Sequence, residues 1–218
     1  RLLVVFYTLP EVIDNDTIEM SFAEREFNST LSAVRGLQQN DVISKHIWIG
    51  CSTKETNDLV TIPPEPNFEE AKHCVAVAIT PQLFDDFVHG FCKGVIWPLF
   101  HSHLKDVNYD SKLYQNYKQA NQLFADAIVR VYKPGDLIWV HGYHLMLLPR
   151  MLREKLPEAS VGWFLHSAFP SYEIFRVLPC REELLEGILE SNLIGFQTYA
   201  TTSEFVQSCT RILGNDAT

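Results

Sequence analysis

The chain has 218 residues, of which 46% are apolar, so it can bury a sizeable core and we expect one large domain. Its formal net charge of −9 disfavours nucleic acid or an anionic membrane as the main partner, since both require a basic surface. No run of about 18 uncharged apolar residues occurs, so we predict no membrane span.

The start of the chain and its cysteines indicate the kind of protein. The first residue, Arg1, is not Met and no secretory signal follows it, so we expect a piece of a longer cytoplasmic protein. The cysteines are odd in number and never form a CxxC pair, which predicts buried or free thiols in a reducing compartment. They are Cys51, Cys74, Cys92, Cys180 and Cys209.

Short apolar runs alternate with longer segments of helical period along the chain. We predict strands at Leu2–Leu9, Ile47–Gly50, Val75–Thr80, Asp136–Val140, Val161–His166 and Leu193–Gln197. We predict helices at Ser29–Gln39, Pro81–Phe100, Ser111–Tyr132, Tyr143–Lys155, Arg181–Leu189 and Ser203–Leu213. This order predicts an α/β fold with a doubly wound parallel sheet, arranged as a single Rossmann-like domain over residues 1–218.

Three local signals refine this pattern. Residues 52–72 are acidic, contain three prolines and lack any period, which predicts a long surface loop. Pro98 and Pro149 lie inside helical patterns and should start, kink or split those helices. Thr201, with Glu204 three residues later, has the spacing of a capping box at the start of the last helix.

Ligands of an open parallel sheet bind beyond the carboxyl ends of its strands. Two predicted strands run directly into histidines there, one into His141-Gly142-Tyr143-His144 and the other into His166. The first strand delivers Tyr7, Thr8 and Leu9 to the same edge. A histidine in this place can donate to a phosphate or a sugar hydroxyl, or transfer a proton. We favour this role for His166 and a buried structural role for His144.

Other chemistries are less favoured. Five histidines could in principle meet a metal ion, but no HExxH motif or Cys/His quartet occurs, so we predict no metal site. They are His101, His103, His141, His144 and His166. Ser167 lacks the GxSxG elbow of a nucleophile, and the chain has neither a Walker loop nor a GxGxxG motif.

The step Trp97-Pro98 lies in a helical pattern, where it would present a large aromatic surface beside a helix interruption. Such surfaces suit the apolar faces of sugar rings. The sequence alone equally allows Trp97 to be a core residue.

Four segments together resemble the trehalose-6-phosphate synthase family. They are GFCKGVIWPLFH (90–101), GDLIWVHGYHLMLLPRMLREKLP (135–157), VGWFLHSAFPSYEIFRVLP (161–179) and LLEGILESNLIGFQT (184–198). The resemblance implies a glycosyltransferase-B fold, in which two Rossmann-like halves transfer glucose from UDP-glucose to glucose 6-phosphate. This chain is similar to the amino-terminal, acceptor-binding half, and the donor-binding half would follow Thr218.

The resemblance also implies a set of sugar contacts, most of which are altered in this chain. The family's phosphate-binding Arg at the end of the first strand is Thr8 here, and the Gly-Gly loop that follows is absent from residues 26–30. The second Trp of the family's Trp-x-Gly-Trp motif is Cys51, an acceptor-contacting Tyr is Val88, and the Asp of a His-Asp-Tyr-His-Leu motif is Gly142. Each change removes a charged, polar or aromatic contact.

Other family positions are retained. They are the acceptor contact Trp97, the glucose contact His166 and the two further candidates Trp48 and His141. If the domain is active, His166 is the residue that we expect to contact the transferred glucose.

This mixture resembles the synthase-like regions of fungal trehalose-complex subunits, either the trehalose-6-phosphate phosphatase or a regulatory subunit. It implies a catalytically silent domain whose partners are other subunits of that complex, with weak binding at most of glucose 6-phosphate, trehalose 6-phosphate or UDP-glucose. We expect no cofactor in this chain, and Mg²⁺ only if a phosphatase domain follows. Two alternatives stay open, an active glucosyltransferase and a phosphosugar-sensing module.

Overall fold

The computed structural model describes residues 1–9, 22–51 and 74–214. Within these ranges, six strands form one parallel sheet in the order β3-β2-β1-β4-β5-β6. They are β1 (Leu2–Thr8), β2 (His46–Cys51), β3 (Cys74–Val77), β4 (Leu137–His141), β5 (Ser160–Leu165) and β6 (Leu193–Phe196). The predicted α/β class and doubly wound parallel sheet are confirmed.

Helices connect these strands. They are α1 (Phe22–Gln39), α2 (Pro81–Asp85), a π-helix (Asp86–Ile96), α3 (Trp97–Phe100), α4 (Ser111–Val131), α5 (Leu148–Lys155), α6 (Tyr172–Phe175), α7 (Arg181–Leu189) and α8 (Tyr199–Leu213). In the described part of the chain, 3₁₀ turns lie at Leu104–Asp106 and Tyr143–Leu145. None of the helices described in this structure is long and apolar enough to cross a membrane.

The sheet divides the core in two because successive side chains of a strand point to opposite faces. On one face, Leu3 and Val5 of β1 belong to the large cluster formed with the π-helix, α4, α5 and α7. On the other face, Leu2, Val4 and Phe6 pack in a smaller cluster that includes side chains of α1. The alternation therefore assigns neighbouring residues at the end of β1 to different faces of the sheet.

The predicted helix Pro81–Phe100 is continuous but changes its winding. Thr80 begins it, since its side chain accepts a hydrogen bond from the Leu83 amide at 3.3 Å. The middle of the segment is a π-helix, and Pro98 lies in the first turn of α3. Wide π turns occur frequently at functional sites, and this one leads directly into Trp97.

Two predicted helix starts are wrong. The segment 143–155 is not one helix, because Gly142 has a positive φ of 82°, a 3₁₀ turn follows, and α5 begins only at Leu148, with Pro149 in its first turn. The last helix begins at Tyr199, and its cap is Thr198, whose side chain accepts from the Thr201 amide at 3.3 Å. An extended Thr198 backbone makes this earlier cap possible.

Other boundaries also differ. The first helix begins at Phe22, well before the predicted Ser29, and β3 ends at Val77 because Thr80 already caps α2. The short α6 was not predicted. The loop predicted at 52–72 lies outside the described residues.

The predicted state of the cysteines is confirmed, since all five are free and buried. Burial raises the pKa of the Cys92 thiol well above its usual value, and it also raises the pKa of Cys51. Buried neutral thiols behave as small apolar side chains.

Ser208 on α8 offers a small test of the packing. Ser208 is fully buried, and its hydroxyl has no hydrogen-bond partner among the described residues. We expect Ser208→Ala to raise the free energy of unfolding by about 0.5–1 kcal/mol, because it removes an unsatisfied polar group and improves helix propensity. Denaturant titration measures the effect. Ser203→Ala is the control and should give a smaller gain in stability, because the Ser203 hydroxyl accepts a hydrogen bond from Gln207. A loss of stability in S208A would contradict the expectation.

Candidate functional site

The order of the strands places the site. The chain leaves β1 toward β2 on one side, whereas β4 leads to β5 on the other, so the winding reverses between β1 and β4. Parallel α/β sheets bind ligands at this reversal, beyond the carboxyl ends. Here these ends carry Thr8 and Leu9 from β1 and the segment 141–145 from β4.

On the face of the large cluster, four rings follow one another. Tyr7 stacks on His144 at 3.8 Å between ring centroids, and His144 stacks on Tyr143 at 4.1 Å. Tyr143 in turn lies 6.0 Å from Trp97, which is partly exposed. We call Tyr7, His144, Tyr143 and Trp97 the aromatic wall. Tyr7 and Trp97 are partly exposed and provide apolar ring surface that the pyranose face of a sugar can contact, whereas His144 and Tyr143 are buried between them.

On the opposite face of the same edge lies a pair of histidines. His141 stacks on Phe6 at 4.4 Å with the rings 9° from parallel, and its Nδ1 lies 2.9 Å from Nε2 of His166. His141 is 1% exposed, and its Nε2 is buried without a partner in the described part of the chain. His166 is partly exposed. We call His141 and His166 the histidine pair.

Burial keeps these histidines neutral. It lowers the pKa of His144 to about 3, with the nearby charge of Lys93 as a second cause, and it lowers the pKa of His166 to about 4. Burial, followed by the proximity of His166, lowers the pKa of His141 well below its usual value. At pH 7 these side chains therefore carry no positive charge for a phosphate, and of the three only His166 is partly exposed to a ligand.

At the end of β1, Thr8 has its hydrogen bond inside the protein. Its hydroxyl donates to the carbonyl oxygens of Leu9 at 3.2 Å and Cys51 at 3.4 Å. Cys51, the register partner of Thr8 on β2, is fully buried. This strand end thus presents a short, uncharged side chain, and the thiol behind it is closed to ligands in this structure.

The other predicted contacts separate into buried and accessible ones. Val88 in the π-helix and Trp48 in β2 are both buried, whereas Trp97 and His166 reach the surface. Gly142 is buried and combines φ of 82° with ψ of 167°, a region that essentially only glycine adopts. An aspartate in its place would strain the backbone in this conformation.

The histidines after α3 do not belong to the histidine pair. His101 stacks on Trp97 and its Nδ1 lies 2.8 Å from the Trp97 carbonyl oxygen, while His103 lies 4.0 Å from the Asp106 carboxylate. Over residues 1–9, 22–51 and 74–214, no group of three or more His, Cys, Asp or Glu side chains is placed to hold a metal ion.

Helix α4 holds the backbone of the segment that follows β4 through two side chains. The Tyr117 hydroxyl donates to the carbonyl oxygen of Tyr143 and accepts from the Met146 amide, both at 3.0 Å. The Asn121 amide group donates to the carbonyl oxygen of His144 at 3.1 Å. Two fully buried side chains therefore fix the backbone of the segment that follows β4.

Sequence reasoning missed Phe6, Tyr117 and Asn121. Phe6 could have been found from the alternation in β1, because it shares a face with Leu2 and Val4 and ends that row at the ligand edge. Tyr117 and Asn121 gave no such signal, since a polar group on an amphipathic helix reveals its partner only when the fold is known.

Comparison with known proteins supports this description. The profile of Glycosyltransferase family 20 matches residues 1–218. The chain is 39% identical over 214 residues to the Dictyostelium discoideum alpha,alpha-trehalose-phosphate synthase [UDP-forming] A, covering 98% of this chain and 28% of that protein. It therefore spans less than a third of that relative's length.

Two similar solved structures have the same fold as the described part of the chain. One is a UDP-forming trehalose-phosphate synthase from Burkholderia xenovorans, and the other is the N-terminal domain of the Candida albicans trehalose-6-phosphate phosphatase. Each is 27% identical with a TM-score of 0.79, and each match covers 100% of this chain and 44% of the other. The sheet described above corresponds to the N-terminal half of a glycosyltransferase-B synthase, and the chain belongs to Glycosyltransferase family 20.

Proposed function

We propose that this chain is a synthase-like domain that does not itself transfer glucose and that serves assembly or regulation of a trehalose-6-phosphate synthase/phosphatase complex. The observation that carries the proposal is the end of β1, where Thr8 is uncharged and donates its hydroxyl to two backbone carbonyls. A sugar phosphate needs a positive charge or several free donors at its binding site, and Thr8 supplies neither.

The rest of the edge adds to this argument. Burial keeps His144 on one face of the sheet and His166 on the other neutral. Cys51 and Val88 are buried apolar groups. Each missing hydrogen bond to a charged group removes about 1.5–3 kcal/mol of binding free energy. Losing two or three of them weakens a micromolar acceptor site into the millimolar range or beyond.

The intact framework supports a use other than transfer. The described residues form a six-stranded sheet with two core clusters, and the Tyr117 hydroxyl holds the segment after β4. On this proposal the whole protein also carries a donor-binding half, and it is either the trehalose-6-phosphate phosphatase or a regulatory subunit of the complex. The protein is cytoplasmic. Mg²⁺ is required only if a phosphatase domain is present.

An active UDP-glucose-dependent synthase is the second candidate. Similarity to synthases favours it, together with the partly exposed Trp97 and His166 at the ligand edge. In that case His166 contacts the transferred glucose and the acceptor is glucose 6-phosphate. A phosphosugar-sensing module, the third reading, binds the phosphorylated sugar without needing UDP-glucose.

Calorimetric titration separates these readings. The protein is titrated with glucose 6-phosphate, with trehalose 6-phosphate and with UDP-glucose, each to millimolar concentration. We expect no saturable binding of glucose 6-phosphate or trehalose 6-phosphate to this chain, and none of UDP-glucose to a form that also carries the donor-binding half. Saturable binding of a phosphosugar alone supports the sensing module, and release of UDP when a form carrying both halves receives both synthase substrates overturns the proposal.

Thr8→Arg provides a gain-of-binding test. If the missing charge at the end of β1 is what weakens the site, the variant should raise the affinity for glucose 6-phosphate by at least about tenfold. Thr8→Met is the matched control, because it adds length at the same place without charge. Equal affinities of T8R and T8M would show that the phosphate does not bind at this strand end.

A further inference from the structure

The histidine pair admits two arrangements of its shared proton. In the first, His141 donates Nδ1–H to Nε2 of His166, and His166 then carries its own proton on Nδ1. In the second, His166 donates Nε2–H to Nδ1 of His141, and His141 then carries its proton on Nε2. The 2.9 Å distance is compatible with either.

The surroundings of His141 distinguish the two arrangements. Its Nε2 is buried and has no partner among the described residues. The second arrangement would place an N–H donor there, and buried N–H groups without an acceptor are rare in folded proteins. The first leaves only an unprotonated ring nitrogen. At His166, by contrast, Nδ1 is not among the buried unpartnered atoms of the partly exposed ring, so a proton on it can meet a ligand or solvent.

We infer that His141 donates Nδ1–H to His166 and thereby holds His166 as the tautomer that presents Nδ1–H to a ligand oxygen. His141 is then a positioning residue, since it is buried and acts on a ligand only through His166. The role goes beyond the proposed function. It rests on the second candidate function, the active synthase, only for the identity of the ligand as a sugar hydroxyl. A histidine in free solution favours the proton on Nε2, so the pair reverses the ordinary preference.

Ring packing keeps this arrangement in place. Phe6 lies against one face of His141, and Trp139 lies 4.4 Å away. Phe164 contacts His166 edge to face at 4.8 Å. These ring contacts favour the observed orientation of both histidines and, with it, the hydrogen bond between them.

Nitrogen-15 NMR of the ligand-free protein tests the inference directly. In the chain labelled with ¹⁵N-histidine, long-range proton–nitrogen correlations distinguish the two neutral tautomers, and His166→Gln identifies the signals of His166. We expect a protonated Nδ1 and an unprotonated Nε2 for His166 at pH 7, and an unprotonated Nε2 for His141. A protonated Nε2 on His166 would overturn the inference, whether or not the protein binds any sugar.

Two variants of His141 separate the hydrogen bond from packing. His141→Asn keeps an amide donor close to the place of Nδ1, whereas His141→Phe keeps a ring against Phe6 but removes the donor. We expect His166 to keep Nδ1–H in H141N and to change to Nε2–H in H141F. An unchanged tautomer in a folded H141F, judged from its proton spectrum, would contradict a positioning role.

The same variants report on function in a form of the protein that binds UDP-glucose. There, H141F should bind UDP-glucose about tenfold more weakly than the unsubstituted protein, and H141N should recover most of the loss. Equal binding by H141F and H141N would show that the hydrogen bond does not serve the ligand. If no form binds UDP-glucose, the tautomer measurement alone decides the inference, and the active-synthase reading fails separately.

Discussion

Replacing Tyr117 with Phe is expected to lower the free energy of unfolding by about 3 kcal/mol, a large effect for the loss of one oxygen atom. The Tyr117 hydroxyl is fully buried, and it satisfies the Met146 amide and the Tyr143 carbonyl at the same time. Without it, two buried backbone groups lose a partner that water cannot replace. Urea denaturation with an unchanged m value measures the loss, and hydrogen exchange should show faster opening at Met146.

The control is the same substitution three residues earlier on α4. The Tyr114 hydroxyl donates to Glu183, whose carboxylate also binds Lys118 and is partly exposed to solvent. After Tyr114→Phe, water can take the vacant place on Glu183, so the expected loss is below about 1 kcal/mol. Equal losses in Y117F and Y114F would mean that the site segment does not depend on the Tyr117 hydroxyl.

Much of the fold could be predicted because parallel sheets leave a strong signature. β1 is buried on both faces over residues 2–6, whereas β5 is buried on one face and partly buried on the other, and both appear as short apolar runs. Every predicted strand is present. Helix starts were less predictable, since either Thr198 or Thr201 could cap α8. A one-dimensional pattern does not say which of two suitable caps has an extended backbone.

The candidate site, like the fold, could be predicted only in part. The edge itself follows from topology, so His141, His166 and Thr8 could be assigned to it before the structure was known. Their chemistry could not, because it depends on contacts between distant parts of the chain. Only the fold shows that His166 lies within hydrogen-bonding distance of His141, or that the Thr8 hydroxyl donates to the Cys51 carbonyl.

Gly187→Ala is expected to destabilise the protein by about 3 kcal/mol, because α7 packs with its backbone directly against the segment before α5. A Cβ atom on Gly187 would lie 2.5 Å from the Met146 carbonyl oxygen and 3.0 Å from Cα of Leu147. These are backbone atoms that cannot rotate away, so the whole helix must shift. Its buried Leu184 and Ile188 would then lose close packing.

Gly36→Ala is the matched control for this prediction. Gly36 lies within α1, and a Cβ atom there would meet nothing within 4 Å. The substitution should therefore stabilise the protein by about 0.5–1 kcal/mol through helix propensity alone. Denaturant midpoints of G187A and G36A should move in opposite directions. If both midpoints moved in the same direction, the close approach of α7 to the segment after β4 would be contradicted. The view that Tyr117 on α4 and Gly187 on α7 together hold this segment in place would then also fail.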